Sequence, residues 1–317
     1  MSIKKTHDVL VAGELNVDII LNRINKFPAL GKEVLADQMT ITLGSSSAIF
    51  ASNLSVLGTK VAFAGTLARD HFGELILASL QSKGVDTSHI VFTNERSTGA
   101  TIALNFEEDR AMLTYPGAIA LFSIEDISEM LLAESRHLHV SSIFLSTGLK
   151  KNVHKLFRKA RALGLTTSLD PQWDPHERWD IDFKSLLPDV DVFIPNENEL
   201  RAMTGIYDIH KAVDTLKDYA NILIVKSGRD GALLWKGKEF IHQPAFLNNE
   251  VVDSIGAGDS FGAGFIHQFI QGKTLKQCLE FGALTGAINT TRAGGTSAFE
   301  NLDTVKAIAE SEFNYKI

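Results

Sequence analysis

Apolar runs of strand length alternate with helical patterns through the second half of this chain, and that alternation restricts its fold more than any other feature. The runs cover 136–144, 166–169, 190–194 and 222–225, with amphipathic stretches over 151–163, 197–204 and 210–219 between them. Strands that are apolar on both faces and joined by helices build a mostly parallel sheet covered on both sides. Ligands of such sheets bind beyond the carboxyl ends of the strands. Asp170, Asn196, Lys226 and Asp253 each follow a strand, so one rim is expected to gather them. The N-terminal part reads differently. Segments 34–43 and 98–114 alternate as half-exposed strands do, with Glu107-Glu108-Asp109-Arg110 at a hairpin tip, and helical patterns cover 48–57 and 73–83. The sequence therefore predicts an α/β fold, with helices on both faces of its central sheet and a small β lid from segments near 14–22, 33–43 and 92–115. No linker, low-complexity run or internal repeat divides the 317 residues, so 1–317 reads as one domain.

Function is concentrated in residues 251–265. A short apolar strand end, Val251-Val252, runs through Asp253-Ser254-Ile255 into the turn Gly256-Ala257-Gly258. A helix with apolar Phe261, Phe265, Ile266, Phe269 and Ile270 follows. The first amides of a helix have no intrahelical partner, and with the positive end of the helix dipole they form a site for an anion. Side chains no larger than methyl let a phosphate approach that backbone. Asp259 stands on the lip of the turn. Phosphate repels a carboxylate, so an acid there fits a base that takes the proton from a hydroxyl attacking phosphorus, the layout of a phosphotransferase. The same residues also read as a plain glycine turn with an acid as helix cap. The pattern is neither a Walker loop, which needs Gly-Lys-Ser/Thr, nor a Rossmann turn, which follows the first strand. An NAD-dependent dehydrogenase is thereby excluded.

Composition removes other classes. Acids and bases are interspersed around a net charge of −7, so no surface for nucleic acid or an anionic membrane is indicated. The lone Cys278 reads as packing, and no run reaches the ~18 apolar residues of a membrane span. The chain reads as soluble and cytoplasmic. His137 and His139 alternate on a strand without a third ligand nearby and read as sheet histidines, not a metal pair.

Asp253-Ser254-Ile255-Gly256-Ala257-Gly258-Asp259 resembles the C-terminal signature Asp-Thr-x-Gly-Ala-Gly-Asp of the ribokinase-like (PfkB) carbohydrate kinases. Further motifs resemble that family in order: the first strand ending in Asp18, the glycine signature from Gly44 to Gly58, Asn196-Glu197-Asn198-Glu199, and Lys226-Ser227-Gly228-Arg229-Asp230-Gly231. The resemblance implies an ATP-dependent kinase acting on a primary hydroxyl of a small carbohydrate of ribose, fructose or ketodeoxygluconate type. It implies Asp259 as general base, with the amides of Gly256, Ala257 and Gly258 as anion hole. Asn16, Asp18, Gly44 and Ser45 would meet the acceptor, and Asn196, Lys226, Gly228, Gly231 and Asn289 the nucleotide. Asn196 and Glu199 would organise Mg²⁺ through its waters, although the same pair reads as a capping box. Asp253, Ile255 and Gly294 match a loop that holds K⁺ in some relatives, with carbonyls around Asn289 and Ala298 completing it. A homodimer through lid strands follows from the same likeness.

Three departures from the family pattern bear on the acceptor. Gly-Gly becomes Gly44-Ser45; the Asn that commonly meets sugar becomes Ile49, with Ser45, Ser46 and Ser47 as replacements; and Asp-Pro-Asn becomes Asp170-Pro171-Gln172. Two alternatives therefore stand beside the sugar kinase. One is a nucleoside kinase that stacks a base on Phe106 or Tyr115, and the other a non-catalytic sugar or nucleotide sensor. Tyr115-Pro116-Gly117-Ala118 reads either as a wall of the acceptor pocket or as a simple turn.

Overall fold

Strand β1 (His7–Ala12) shows how the larger sheet of the computed structural model is built. Val9 and Val11 enter one apolar core, Leu10 and Ala12 enter the other, and all four are fully buried. The structure describes residues 4–26, 28–106 and 109–317. The strands that follow are β2 (Asn16–Ile24), β3 (Ala36–Leu43), β4 (Val61–Ala68), β5 (Ile90–Thr93), β6 (Gly99–Phe106), β7 (Asp109–Tyr115) and β8 (Ser135–Ser141). After them come β9 (Thr166–Asp170), β10 (Val192–Phe193), β11 (Leu223–Lys226), β12 (Ala232–Lys236) and β13 (Glu239–Gln243). The larger sheet has the order β13-β12-β11-β10-β9-β8-β1-β4-β5, parallel from β11 to β5 and closed at one edge by antiparallel β12 and β13. Every residue of β4 is buried, as a strand covered on both faces requires.

The second sheet has the order β3-β2-β6-β7, with β2 and β6 parallel and the outer pairs antiparallel. It occupies the segments expected for the small β unit; Glu107 and Glu108 of the expected hairpin tip lie outside the described residues. Helices Ser46–Val56, Ala257–Ile270 and Leu275–Asn289 pack on one face of the larger sheet. No helix among the described residues is long and apolar enough to cross a membrane.

Several expected boundaries move. Strand β8 stops at Ser141, because Ser142 turns into a left-handed backbone (φ 51°) and Ile143 and Phe144 enter the core from a turn. Strand β10 keeps two residues, closely followed by Pro195, which has no amide to pair. The helix expected over 210–219 is Ile209–Asp214, beyond which Thr215 and Leu216 bond back three residues and tighten the chain. Val251 and Val252 do not form a strand: both are exposed, lying past the edge strand β13 in an irregular segment.

Candidate active site

Gly256 enters the Ala257–Ile270 helix with φ 77°, a left-handed turn that glycine takes without strain. A Cβ there would lie 2.6 Å from Gly295 Cα and 3.1 Å from Ile49 Cγ2, so the turn is pressed against a second glycine loop. The Ser260 amide makes the first helical bond, 2.8 Å to the Gly256 carbonyl. The amides of Gly258 and Asp259 therefore precede the ladder. Of the amides expected to form the anion hole, that of Ala257 leans on the Ser254 carbonyl at 3.3 Å.

A buried amide chain fastens this turn from behind. Asn53 Nδ2 donates to Ser260 Oγ (2.8 Å) and to the Gly295 carbonyl (2.9 Å). Ser260 Oγ donates to Asn289 Oδ1 (3.0 Å), and Asn289 Nδ2 donates to the Ile255 carbonyl (2.6 Å). Asn289, expected along the nucleotide, is fully buried and instead holds the backbone that would hold an anion. Sequence reasoning misses Asn53, whose signal is a lone amide in the middle of an apolar helix.

Lys226, at the end of β11, is the electrostatic centre of the rim. Its ammonium pairs with Asp170 at the end of β9 and would stand 3.4 Å from a Cβ on Gly258, so it faces the turn. Burial alone would lower Lys226, but Asp170, Glu199 and Asp259 outweigh it and hold the ammonium above the usual lysine value. Burial raises Asp170, with Lys226 opposing, and its Oδ1 has no hydrogen-bond partner. Burial and then Asp170 push Asp259 up to about 7, with Lys226 opposing and Glu14 adding. Gln172, itself in a left-handed backbone (φ 58°), donates from Nε2 to Asp259 Oδ1 at 3.0 Å.

The capping-box reading of Asn196 and Glu199 holds. Asn196 Oδ1 accepts from the Glu199 amide and Glu199 Oε2 from the Asn196 amide, both at 2.9 Å, and Asn196 Nδ2 donates to Glu199 Oε1 at 2.6 Å. Glu199 is nonetheless more than a cap. It is buried, and burial lifts it to about 7 against the pull of Lys226. A cleft of about 580 Å³, lined by Trp173, Asn196, Glu199, Arg201 and Tyr207, opens beside it.

On the side of the small sheet, Asn16 and Asp18 stand two residues apart on β2, hence on one face. Asn16 Nδ2 lies 3.1 Å from Asp18 Oδ1 and 3.0 Å from Thr101 Oγ1 on β6. A Cβ at Gly44 would overlap the Asp18 carboxylate, so glycine here gives Asp18 its room. Ser45 takes φ 71° at the place where the resembled signature has its second glycine. Its hydroxyl offsets that strain by donating to the Glu14 carbonyl (2.6 Å) and accepting from the Ala48 amide (3.0 Å). Ser47 is also committed, to Glu14 and to Ser141 Oγ, whereas Ser46 hydrogen-bonds Asp259. Ile49 is buried against Gly256 and Gly295. Glu14 is a further buried acid in the same network, and burial raises it.

The remaining expected residues separate. Gly228 (φ 55°) has open space beyond its Cα, whereas a Cβ at Gly231 would collide with β13 and the Pro244 backbone, so the β12–β13 hairpin alone demands that glycine. Asp253 accepts from the amides of Ile255 and Gly294, each at 2.9 Å. The protein thus links by itself the two loops where a monovalent cation is expected. His137 and His139 share Ser168 Oγ at 2.7 Å each, and burial pushes His137 down to about 3, the behaviour of neutral sheet histidines.

The model of the pfkB family of carbohydrate kinases matches residues 6–302. The chain belongs to that family. Its members are ATP-dependent phosphotransferases, so this pfkB chain is a carbohydrate kinase. It is 26% identical to the 5-dehydro-2-deoxygluconokinase of Geobacillus thermodenitrificans, over 96% of this chain and 93% of that one. It is 29% identical to the deoxyribokinase of Salmonella typhi, over 93% and 96% respectively. A putative ribokinase II from E. coli, solved with ATP and Mg²⁺, superposes with a TM-score of 0.82 at 23% identity, over 95% of this chain and 98% of that one, which places the pfkB chain in the ribokinase-like fold.

Proposed function

We propose that this carbohydrate kinase transfers the γ-phosphoryl group of ATP to a primary hydroxyl of a small carbohydrate, with Asp259 as the general base. The observation that carries the reading is a carboxylate held at about 7 on the first turn of the helix whose leading amides and the Lys226 ammonium face one spot. A base is most effective when its pKa lies near the operating pH. Asp259 takes the hydroxyl proton as that oxygen attacks the γ-phosphorus; the bond to the ADP oxygen breaks and ADP leaves. The Gly256, Gly258 and Asp259 amides and Lys226 stabilise the charge on the group in transit. Gln172 and Ser46 orient the base, while Asp18, steadied by Asn16 and cleared by Gly44, receives the acceptor hydroxyls.

The donors beside the nucleotide side suit a hard dication. Asp170 keeps a buried oxygen without a partner, and burial raises both Asp170 and Glu199 against the pull of Lys226, so a further positive charge beside them would be favoured. Glu199 and Asn196 would hold Mg²⁺ through its waters, and the ion would neutralise the nucleotide phosphates. Gly228 leaves space for ATP to approach the backbone. No part of this reading depends on K⁺.

The small sheet acts as a lid over the acceptor and as the contact between two copies. Met39 on β3 and Leu113 on β7 share one face of the small sheet and are each more than 60% exposed, an apolar surface that pairing would cover. Leu113→Asp together with Met39→Lys is expected to turn a dimer into a monomer in light scattering; an unchanged mass would remove this contact. A nucleoside acceptor is less well served. Phe106 faces Asp109 at one end of the β6–β7 hairpin and Tyr115 faces Ala100 at the other, about 20 Å apart at strand spacing, so the two do not form one stacking pocket.

Calorimetry tests this assignment. Protein loaded with Mg²⁺ and a non-hydrolysable ATP analogue is expected to bind a neutral sugar or sugar acid. Asp18→Ala should weaken that binding at least tenfold while leaving the nucleotide affinity within about twofold, since hydrogen bonds to a charged group contribute ~1.5–3 kcal/mol. Binding of nucleosides in place of carbohydrates, or equal losses for both ligands, would overturn the reading.

A further inference from the structure

We propose that His7, Asp86 and His89 form a binding site for a transition-metal dication of the Zn²⁺ type, separate from the phosphoryl-transfer rim. The three residues come from different parts of the chain. His7 opens β1, Asp86 bridges to β4 at Ala62, and His89 stands in the turn just before β5. Their ligand atoms lie within 4.8 Å of one another. His7 Nε2 is 3.1 Å and His89 Nε2 3.8 Å from the same oxygen, Asp86 Oδ2. Ligands about 2.1 Å from a tetrahedral Zn²⁺ stand roughly 3.4 Å from each other, so small side-chain rotations would close this triangle around an ion.

Each ligand except His89 is also held from outside the triangle. Asp86 Oδ1 accepts from the Ser88 amide at 2.9 Å, which turns Oδ2 towards the two imidazoles. Thr6 Oγ1 lies 3.2 Å from His7 Nδ1, so a proton on Nδ1 has an acceptor and the Nε2 lone pair is directed at the centre. Such outer partners fix the tautomer of a metal-binding histidine. Two neutral imidazoles and one carboxylate are the donor set that favours Zn²⁺, Co²⁺ or Ni²⁺ over Mg²⁺. The side chains of His7, His89 and Asp86 are 14%, 31% and 38% exposed, which leaves one side for water or entry of the ion.

His7 and the end of β1 at Ala12 are five residues apart, about 16 Å along a strand, so the triad lies at the opposite end of the sheet from Asp259 and Lys226. A metal there would tie the start of β1 to the turn that leads into β5, at the edge of the parallel sheet. Its expected effect is on stability, with turnover unchanged. Without a metal the same residues make a histidine–aspartate hydrogen bond, and that simpler arrangement is the outcome the experiment must separate.

The full chain, stripped with a chelator and returned to Mg²⁺ buffer, is titrated with Co²⁺ and then Zn²⁺. One equivalent of Co²⁺ should give the visible absorption of a low-symmetry site, and Zn²⁺ should bleach it. Zn²⁺ should raise the melting temperature of the wild-type protein by several degrees. His89→Ala, on a half-exposed turn, should fold and lose both responses, with Zn²⁺ affinity falling at least tenfold. His7→Gln serves as the second variant and should behave likewise. Equal Zn²⁺ binding in wild type and both variants, or no Co²⁺ spectrum at micromolar metal, would overturn the proposal and leave only the hydrogen bond.

Discussion

Replacing Asp259 by Asn is expected to lower turnover by roughly 10²–10⁴-fold, the range lost with a general base, while nucleotide and acceptor affinities stay within a fewfold. The pH dependence carries the same signature. Burial and Asp170 hold the Asp259 carboxyl at about 7, so the active, ionised form is lost as pH falls below that value. Wild-type kcat/KM should rise with pH to a plateau above about 7, and the residual rate of Asp259→Asn should lack that limb. Stability should move the other way. A carboxyl whose folded pKa is raised favours the folded state most below its unfolded value, near 3.8, and that contribution disappears as pH rises through about 7. Asp259→Asn should therefore melt higher than wild type at pH 8, with the difference shrinking towards pH 5. A variant that turns over normally, or keeps the acidic limb, would remove Asp259 from the reaction.

Lys226→Met is the second large effect. The ammonium lies among Asp170, Glu199 and Asp259, all buried, and removing it leaves carboxylates in the protein without their counter-charge. Breaking such a buried pair by deleting one partner costs about 3–5 kcal/mol. Because Lys226 opposes the upward shifts of Asp259 and Glu199, its loss should also carry the acidic limb of the rate profile to higher pH. Urea titration reads the first effect and the pH–rate profile the second. A shift in the limb without a loss of stability would show that Lys226 tunes the base without supporting the fold; neither change would show that the ammonium is not coupled to the site.

The fold is legible in the chain because it is repetitive physics. Strands buried on both faces must be apolar throughout, as β4 is, and helices between them must carry one apolar face. Boundaries are less legible, since they depend on partners. Nothing local in 251–252 says that this apolar pair joins no strand and that Val252 bonds instead to the Thr290 carbonyl at the end of a helix, and Ser142 enters its turn at a φ that its sequence does not advertise. In the site, residues whose chemistry is local were readable. Asp259 follows its glycine turn, and Asn196 and Glu199 sit at capping distance. Residues that act through distant contacts were not. Glu14 and Asn53 join networks with partners 33 to 242 positions away, and Asn289 turns inward because Ile255 and Ser260 need its amide.

Ser45 shows how a departure from a family pattern can be absorbed. A serine at φ 71° stores strain of order 1 kcal/mol, yet its hydroxyl supplies both a cap and a tether that glycine lacks. The substitution is thereby explained without assigning Ser45 to the acceptor. On the proposed reading, acceptor choice would then rest with Asp18, Asn16, Ser46 and Gln172.

The most direct test of the whole account is ADP release from Mg-ATP across a panel of free sugars, sugar acids and nucleosides, run in parallel with wild type and Asp259→Asn. The account predicts that one carbohydrate raises ADP release far above the hydrolysis background in wild type and that the variant keeps about 1% or less of the stimulated rate. Equal ADP release by the two proteins, or stimulation by a nucleoside and by no carbohydrate, would contradict it.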